Sequence, residues 1–408
     1  MRYLKRRWHK LDNVGKFYSS IDLKSTQKVF RYSATLKRNI DKEDLQIALD
    51  KTIKEYPSFN VTLKQGLFWH YIQEVSSINK VSKEKLPICY KLYDNNGDYL
   101  YRVSYYKKRI NFELSHIVSD GLGSLEFFKL LINNYVNTRY NLNIKDLNSN
   151  VSLKKLEEDS FIKNYKKNNK KVKTFHNIYN YKGEKYKAGT QYLEAHVKLD
   201  KVLDLVHEYN TSLTVFLISL LIYSFKMKTK KKYIKIDVPV NLRQYNNSLS
   251  SKNYFALIGI VYKFNKDDKL ENVIKSVDKQ LKEELSEEKI MLRVNKMVAF
   301  EKNIFCRISP LFLKNIFLKV TNMFVINLSS TCFSNVGRVV FHEEVNDYIE
   351  NVNVITNTPN FQIAICSFKN DLSINISSIF KNNEIIKYFL RFLTNNDIEV
   401  VINANEVK

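Results

Sequence analysis

Residues 112 to 123 read FELSHIVSDGLG, and the organisation of the whole chain can be worked out from this stretch. The bulky and β-branched residues from Ile110 to Ser115 predict a strand. Asp120-Gly121 then opens an apolar helical run, LGSLEFFKLLINNY, that reaches Tyr135. His116 therefore falls just past a strand end, where a rigid scaffold can hold a side chain at a cleft. Asp120, four residues on, is placed to fix the turn, either through backbone amides or through a buried cation. Gly121 permits close backbone approach or a positive φ. On the residues alone His116 has two readings. It is a general base, because a neutral imidazole suits proton removal at neutral pH, or it is a core histidine satisfied by a backbone carbonyl.

Outward from this turn the chain alternates strands and helices without an internal repeat. Upstream, VFRYSATL (Val29 to Leu36) predicts a strand. Asp41 caps a helix through Glu55, with Leu45, Ala48, Leu49 and Ile53 on one face and Pro57 stopping it. Short strands are expected at Asn60–Leu63, Leu67–Glu74, Leu86–Leu92 and Tyr99–Tyr106. Residues 138 to 188 are rich in Asn and Lys and predict a surface connector. The pattern then restarts, with strands at Gln191–Leu199, Tyr233–Val240 and Tyr254–Tyr262, a buried helix over 212–226, and helices near 268–287 and 311–325. Strands at 326–333, 347–356, 361–368 and 371–380 and a last helix at 383–394 complete it. The simplest organisation is two mixed α/β halves, residues 1–180 and 181–408, packed tightly together.

Composition narrows the function classes. At 408 residues two or three domains are expected, because single cores stop growing near ~250–300 residues. An apolar share of 44% excludes a disordered chain, and only 9 glycines exclude a collagen-like or linker-like one. Four scattered cysteines, with no CxxC pair, argue against a zinc site or a disulfide framework, so no metal is expected and a reducing cytoplasm is the default compartment. The basic opening MRYLKRRWHKLDN leads into no apolar run, so no signal peptide is expected. The longest apolar run, Leu213 to Phe225, falls short of the ~20 residues of a spanning helix, so no transmembrane segment is expected. The net charge of +24 is concentrated in residues 163–187 and in the lysines from Lys226 to Lys235. These clusters are read as solvated surface, the second also complementing a helix C-terminus. No zinc finger or RNP-like stretch accompanies them, so nucleic acid is not an expected partner.

HxxxDG on a strand-to-helix turn, about a quarter of the way along a two-half chain, resembles the condensation-domain and alcohol-acetyltransferase group of acyltransferases, relatives of chloramphenicol acetyltransferase. Further segments agree in order: RWHKLDNVGKFYSS (Arg7 to Ser20), EYPSFNVTLKQGLFWHYI (Glu55 to Ile72), VPVNLRQYNNS (Val238 to Ser248) and SNVGRV (Ser334 to Val339). The resemblance covers nearly the whole chain. One departure is Ser115, where many relatives carry a first histidine; His116 matches the second, catalytic one.

The resemblance implies two chloramphenicol-acetyltransferase-like lobes, each a mixed sheet with helices, and an active-site tunnel between them. It implies that His116 removes the acceptor's proton, without a covalent enzyme intermediate. It makes Asp120 structural, paired with an arginine of the second half, for which Arg243 is the candidate; an ordinary strand-end cation is the other reading of Arg243. Asn335 or Ser334 is a candidate oxyanion donor or tunnel residue, with a plain turn as the alternative. The implied activity is transfer of an acetyl or short acyl group from acyl-CoA, a co-substrate rather than a bound cofactor, to an alcohol or amine. An acyl carrier protein is the alternative donor, in a stand-alone condensation-type reaction, and a silent carrier-binding protein is the rival of another class. The two lobes can complete the site within one chain, so a monomer is expected.

Overall fold

The computed structural model describes residues 7–22, 27–94, 97–145, 147, 151–167, 177–229, 233–265 and 267–407. Residues 168–176 and 230–232, the centres of the two lysine clusters, lie outside the described residues, as does His176.

Strand-forming runs assemble into two principal sheets. The five-stranded sheet has the order Ile349–Thr356, Val29–Leu36, Arg109–Ser115, Tyr101–Tyr106, Ser82–Lys83. The seven-stranded sheet has the order Phe255–Tyr262, Ile234–Asn241, Thr331–Arg338, Phe361–Phe368, Asp371–Ser378, Gln191–Lys198, Val401–Ala404. A small third sheet joins Trp8–Lys10, His70–Glu74 and Val61–Gln65. Helices Lys42–Glu55 and Gly121–Tyr140 belong to the core of the first sheet, and the fully apolar helix Leu213–Ser224 to the core of the second. This is the mixed α/β, two-lobed architecture expected from the sequence.

Local chemistry sets the boundaries. Asp41 caps its helix through the amide of Asp44 at 3.0 Å, and Pro57 starts a separate 3-10 turn. Ser212 caps the buried helix that follows. Some expectations need correction, among them the strand at 326–333: Ile326–Leu328 is a 3-10 turn, and the strand runs from Thr331 to Arg338. Residues 86–92 form no strand, because Pro87 lies in a turn closed by Tyr90 N–H on its carbonyl and Cys89 sits at φ +53°. Gly121 lacks a positive φ and is simply the first helical residue. The helix Glu287–Lys302 and the strand Val401–Ala404 were not anticipated.

One element crosses the division of the chain at residue 180. Strand Ile349–Thr356, far along the second half, pairs antiparallel with Val29–Leu36 and completes the first sheet. Phe341, Val352 and Val354 are buried in the first lobe's core with it. The lobes are thereby tied covalently and by packing. An ion pair between Arg109 of the first sheet and Glu194 of the second adds to this, with Nη1 to Oε2 at 2.9 Å.

Among the described residues one helix, Leu311–Leu328, is apolar and long enough by composition to cross a membrane, with a mean hydropathy of 1.3. It is docked against the protein body: Leu311 N–H donates to the Leu67 carbonyl, and Lys314 Nζ to the Phe68 carbonyl.

Candidate active site

The strand Arg109–Ser115 delivers His116 to the space between the sheets. Val118 N–H closes a turn on the Ser115 carbonyl at 3.0 Å, and His116 N–H is held by the Lys28 carbonyl at 2.9 Å. Strand alternation puts the neighbouring Ser115 in the interior, where its hydroxyl accepts from Ile117 N–H at 3.2 Å. Ser115 thereby stabilises the turn that carries His116.

The His116 ring lies in an aromatic cage, with centroids 4.6 Å from Phe30, 5.3 Å from Tyr18 and 6.4 Å from Phe255. Phe255 comes from the second lobe, so the cage itself spans the lobe boundary. Burial pushes the imidazolium pKa down to about 4, against the opposing pull of Asp120 and with Lys28 adding to the fall. The ring is therefore neutral at physiological pH. Among the described residues its Nδ1 finds no well-formed hydrogen bond, while the Ser119 backbone and the Asn253 side chain beside the ring oppose the fall in its pKa.

Asp120 faces the other way in its bonding. Oδ1 accepts from Gly123 N–H at 2.6 Å, capping the helix. Oδ2 accepts from Arg243 Nη1 at 3.0 Å and from Tyr254 N–H at 2.6 Å. Arg243 stands in the 3-10 turn that follows strand Ile234–Asn241, and its Nε also donates to the Ser250 carbonyl at 2.9 Å. The structure thus brings together the buried Asp120 of the first lobe and the largely buried Arg243 of the second. Asn253 adds a second bridge, its side-chain amide donating to the His116 carbonyl at 3.0 Å and to Asp12.

Glycine is demanded here at Gly123, more than at Gly121. A Cβ on Gly123 would stand 2.4 Å from the Ser251 carbonyl oxygen and 2.8 Å from Arg243 Nη2. A Cβ on Gly121 would meet only the Tyr32 hydroxyl, at 3.3 Å.

These elements enclose a cavity of about 250 Å³. His116, Asp120 and Gly121 line it from one side, and Asn241, Arg243, Phe255, Ser334 and Asn335 from the other. Asn335 is already engaged: its Nδ2 donates to Thr214 Oγ1 at 2.8 Å, and its Oδ1 accepts from Gly337 N–H at 2.8 Å. It thereby holds the bulge at Asn335–Gly337, where Gly337 takes φ +86°. Ser334 lines the cavity beside it. Sequence reasoning passed over Lys28, which lines the same cavity and whose ammonium pKa is held below its ordinary value by burial. It also passed over Tyr18 and Asn253. Only the spacing of Tyr18 within the quoted opening segment offered a signal.

Elsewhere, His9, Glu74 and Glu157 bring potential metal-ligand atoms together, with His9 Nε2 2.7 Å from Glu74. Arg7 reaches both carboxylates, at 3.9 and 3.5 Å, and the group reads as an ion-pair cluster.

No family model matches the chain, and no curated protein matches it by sequence. Solved structures do match it over nearly its full length. Polyketide synthase associated protein 5 from Mycobacterium tuberculosis is similar with a TM-score of 0.63 at 11% identity, over 94% of this chain and 96% of that one. The F. sporotrichioides TRI101 structure, complexed with coenzyme A and T-2, has a TM-score of 0.64 at 10% identity, over 96% and 99%. The first condensation domain of the CDA synthetase has a TM-score of 0.63 at 10% identity, over 97% of each chain. The chain has the two-lobed fold shared by condensation domains and chloramphenicol-acetyltransferase-like acyltransferases.

Proposed function

We propose that the protein is an acyltransferase that moves an acetyl or short acyl group from a coenzyme A thioester to an alcohol or amine, with His116 as general base. The observation that carries this reading is a neutral, caged imidazole lining a cavity whose walls come from both lobes. The fold is shared with a protein solved with coenzyme A.

In this reading the acceptor's O–H or N–H gives its proton to the imidazole as the oxygen or nitrogen attacks the thioester carbonyl. The C–S bond then breaks, and the imidazolium returns the proton to the departing thiolate, so the ring ends neutral and the thiol leaves. A low imidazolium pKa keeps the base unprotonated at rest, and it makes the imidazolium a strong acid for the second step. Asp120 and Arg243 act by holding the loop and the lobes in register, since every oxygen of that carboxylate is already bonded. Ser334 and Lys28 are the candidates facing the developing oxyanion, because Asn335 is occupied by Thr214 and Gly337.

The test is thiol release from acetyl-CoA and longer acyl-CoAs with a panel of alcohols and amines. Release that requires an acceptor is expected. Release with none of the free thioesters, but amide or ester formation from a carrier-bound acyl group, would move the donor to a carrier protein.

A further inference from the structure

The helix Leu311–Leu328 leaves its apolar face uncovered. Phe312, Ile316, Phe317, Met323 and Phe324 are exposed on it, and only 17% of the stretch is buried. The adjoining helix Ile304–Ile308 exposes Phe305, and the loop beneath exposes Leu67 and Phe68. The Phe300 and Phe317 rings stack 6.4 Å apart and join this face to the preceding helix. So large a contiguous apolar surface marks an interaction site.

Charge says what covers it. Between Glu301 and Glu343 the chain holds no acidic residue, while Lys302, Arg307 and Lys319 stand on or beside the apolar face. Two copies of the chain meeting here would oppose like charges. Both tryptophans of the chain flank it: Trp8 and Trp69 line one cleft with Arg307, and Lys314 Nζ lies 4.0 Å from the Trp69 ring. Apolar face, cationic margin and flanking tryptophans together are what an interfacial helix presents to a bilayer.

We propose that this face docks on an anionic lipid surface, lying on it rather than crossing it. The helix is fixed to the protein body at its first residue, where Leu311 N–H donates to the Leu67 carbonyl. Lys314 is also tied to the Phe68 carbonyl and holds the helix to the body. Beneath the docked face lies a second, largely apolar cavity of about 610 Å³, lined by Phe300, Phe317 and Leu318. Its inner wall includes Tyr18, Phe255 and Leu257, which also wall the His116 cavity. Docking therefore sets beside the lipid an apolar chamber that shares walls with the His116 cavity.

The experiment is co-sedimentation of the full chain with vesicles of phosphatidylcholine alone or with phosphatidylglycerol added, followed also by tryptophan emission. The expected result is binding to the anionic vesicles, weakened by salt, with a blue shift. Phe312→Glu/Phe324→Glu should weaken it at least ~tenfold without changing the far-UV spectrum, since the two residues are 61% and 70% exposed. Absence of binding by the folded chain, equal binding to neutral vesicles, or binding indifferent to the substitutions would overturn the proposal. So would a dimer abolished by the same substitutions in a chain that ignores vesicles, which would give the face to a second copy. None of these readings depends on catalysis, so the docking surface and the acyltransferase reading fail separately.

Discussion

Asp120 accepts three hydrogen bonds, one capping its own helix and two from Arg243 and Tyr254 of the second lobe, and the Arg243 side chain is largely buried with it. Removing one charge of such a pair leaves the other desolvated, a loss of ~3–5 kcal/mol, whereas removing both relieves that penalty. Asp120→Ala and Arg243→Met should each lower the denaturation midpoint. The double variant should be less unstable than the sum of the two by more than ~1 kcal/mol. Additive losses in that cycle would mean the pair is not coupled. His116 gives a second expectation at this scale. Its folded pKa of about 4 lies below the ordinary 6.5, so kcat/KM should stay level through neutral pH and fall only as pH approaches 4. The same shift makes the unfolded state bind the proton first. The stability contributed by His116 is thus complete above 6.5 and is lost as pH falls from there toward 4. A midpoint near 6.5 in the rate profile would show a solvated imidazole instead.

At the scale of elements, the Asp120 helix starts with two glycines whose demands differ. Gly123→Ala drives a methyl into the Ser251 carbonyl and should cost about 1–3 kcal/mol, with activity lost as the lobes shift. Gly121→Ala meets only a hydroxyl and should melt close to the intact chain. Equal melting temperatures would remove the close approach as an explanation. The sequence marked Gly121 because local pattern locates a helix start. It could not mark Gly123, whose constraint comes from a backbone 128 residues away. The same limit appears elsewhere. Apolar runs located the helices at 311–325 and 212–226, and capping located the one after Asp41, because those signals are local. That the first of these lies uncovered depends on what packs around it. The turn at Pro87 defeated a strand reading of residues 86–92 because Cys89 takes a left-handed backbone that its residue type does not advertise. At the site, His116 and Asp120 were legible from one motif, and Arg243 only through resemblance. The aromatic cage required the fold.

At the scale of the molecule, the strand Ile349–Thr356 makes the first lobe incomplete on its own. Residues 1–180 lack that edge strand, the core residues Phe341, Val352 and Val354, and the partners of Arg109 and Asp120. Expressed alone, this segment should show no cooperative melt, while the full chain should melt in one transition. A sharp transition in the segment would show two autonomous lobes. Tight coupling of the lobes has a functional use, since a base on one lobe and walls on the other must keep a fixed distance for the acceptor to be held in line.

The central claim is that His116 takes the acceptor's proton, and the direct measurement is acceptor-dependent thiol release from acyl-CoA by the intact chain beside His116→Gln and His116→Ala. Both variants should keep the fold, because the backbone bonds of residue 116 to Lys28 and Asn253 survive the substitution, and both should release thiol ~10²–10⁴-fold more slowly. Acceptor-dependent release at the intact rate in a folded His116 variant would contradict the account.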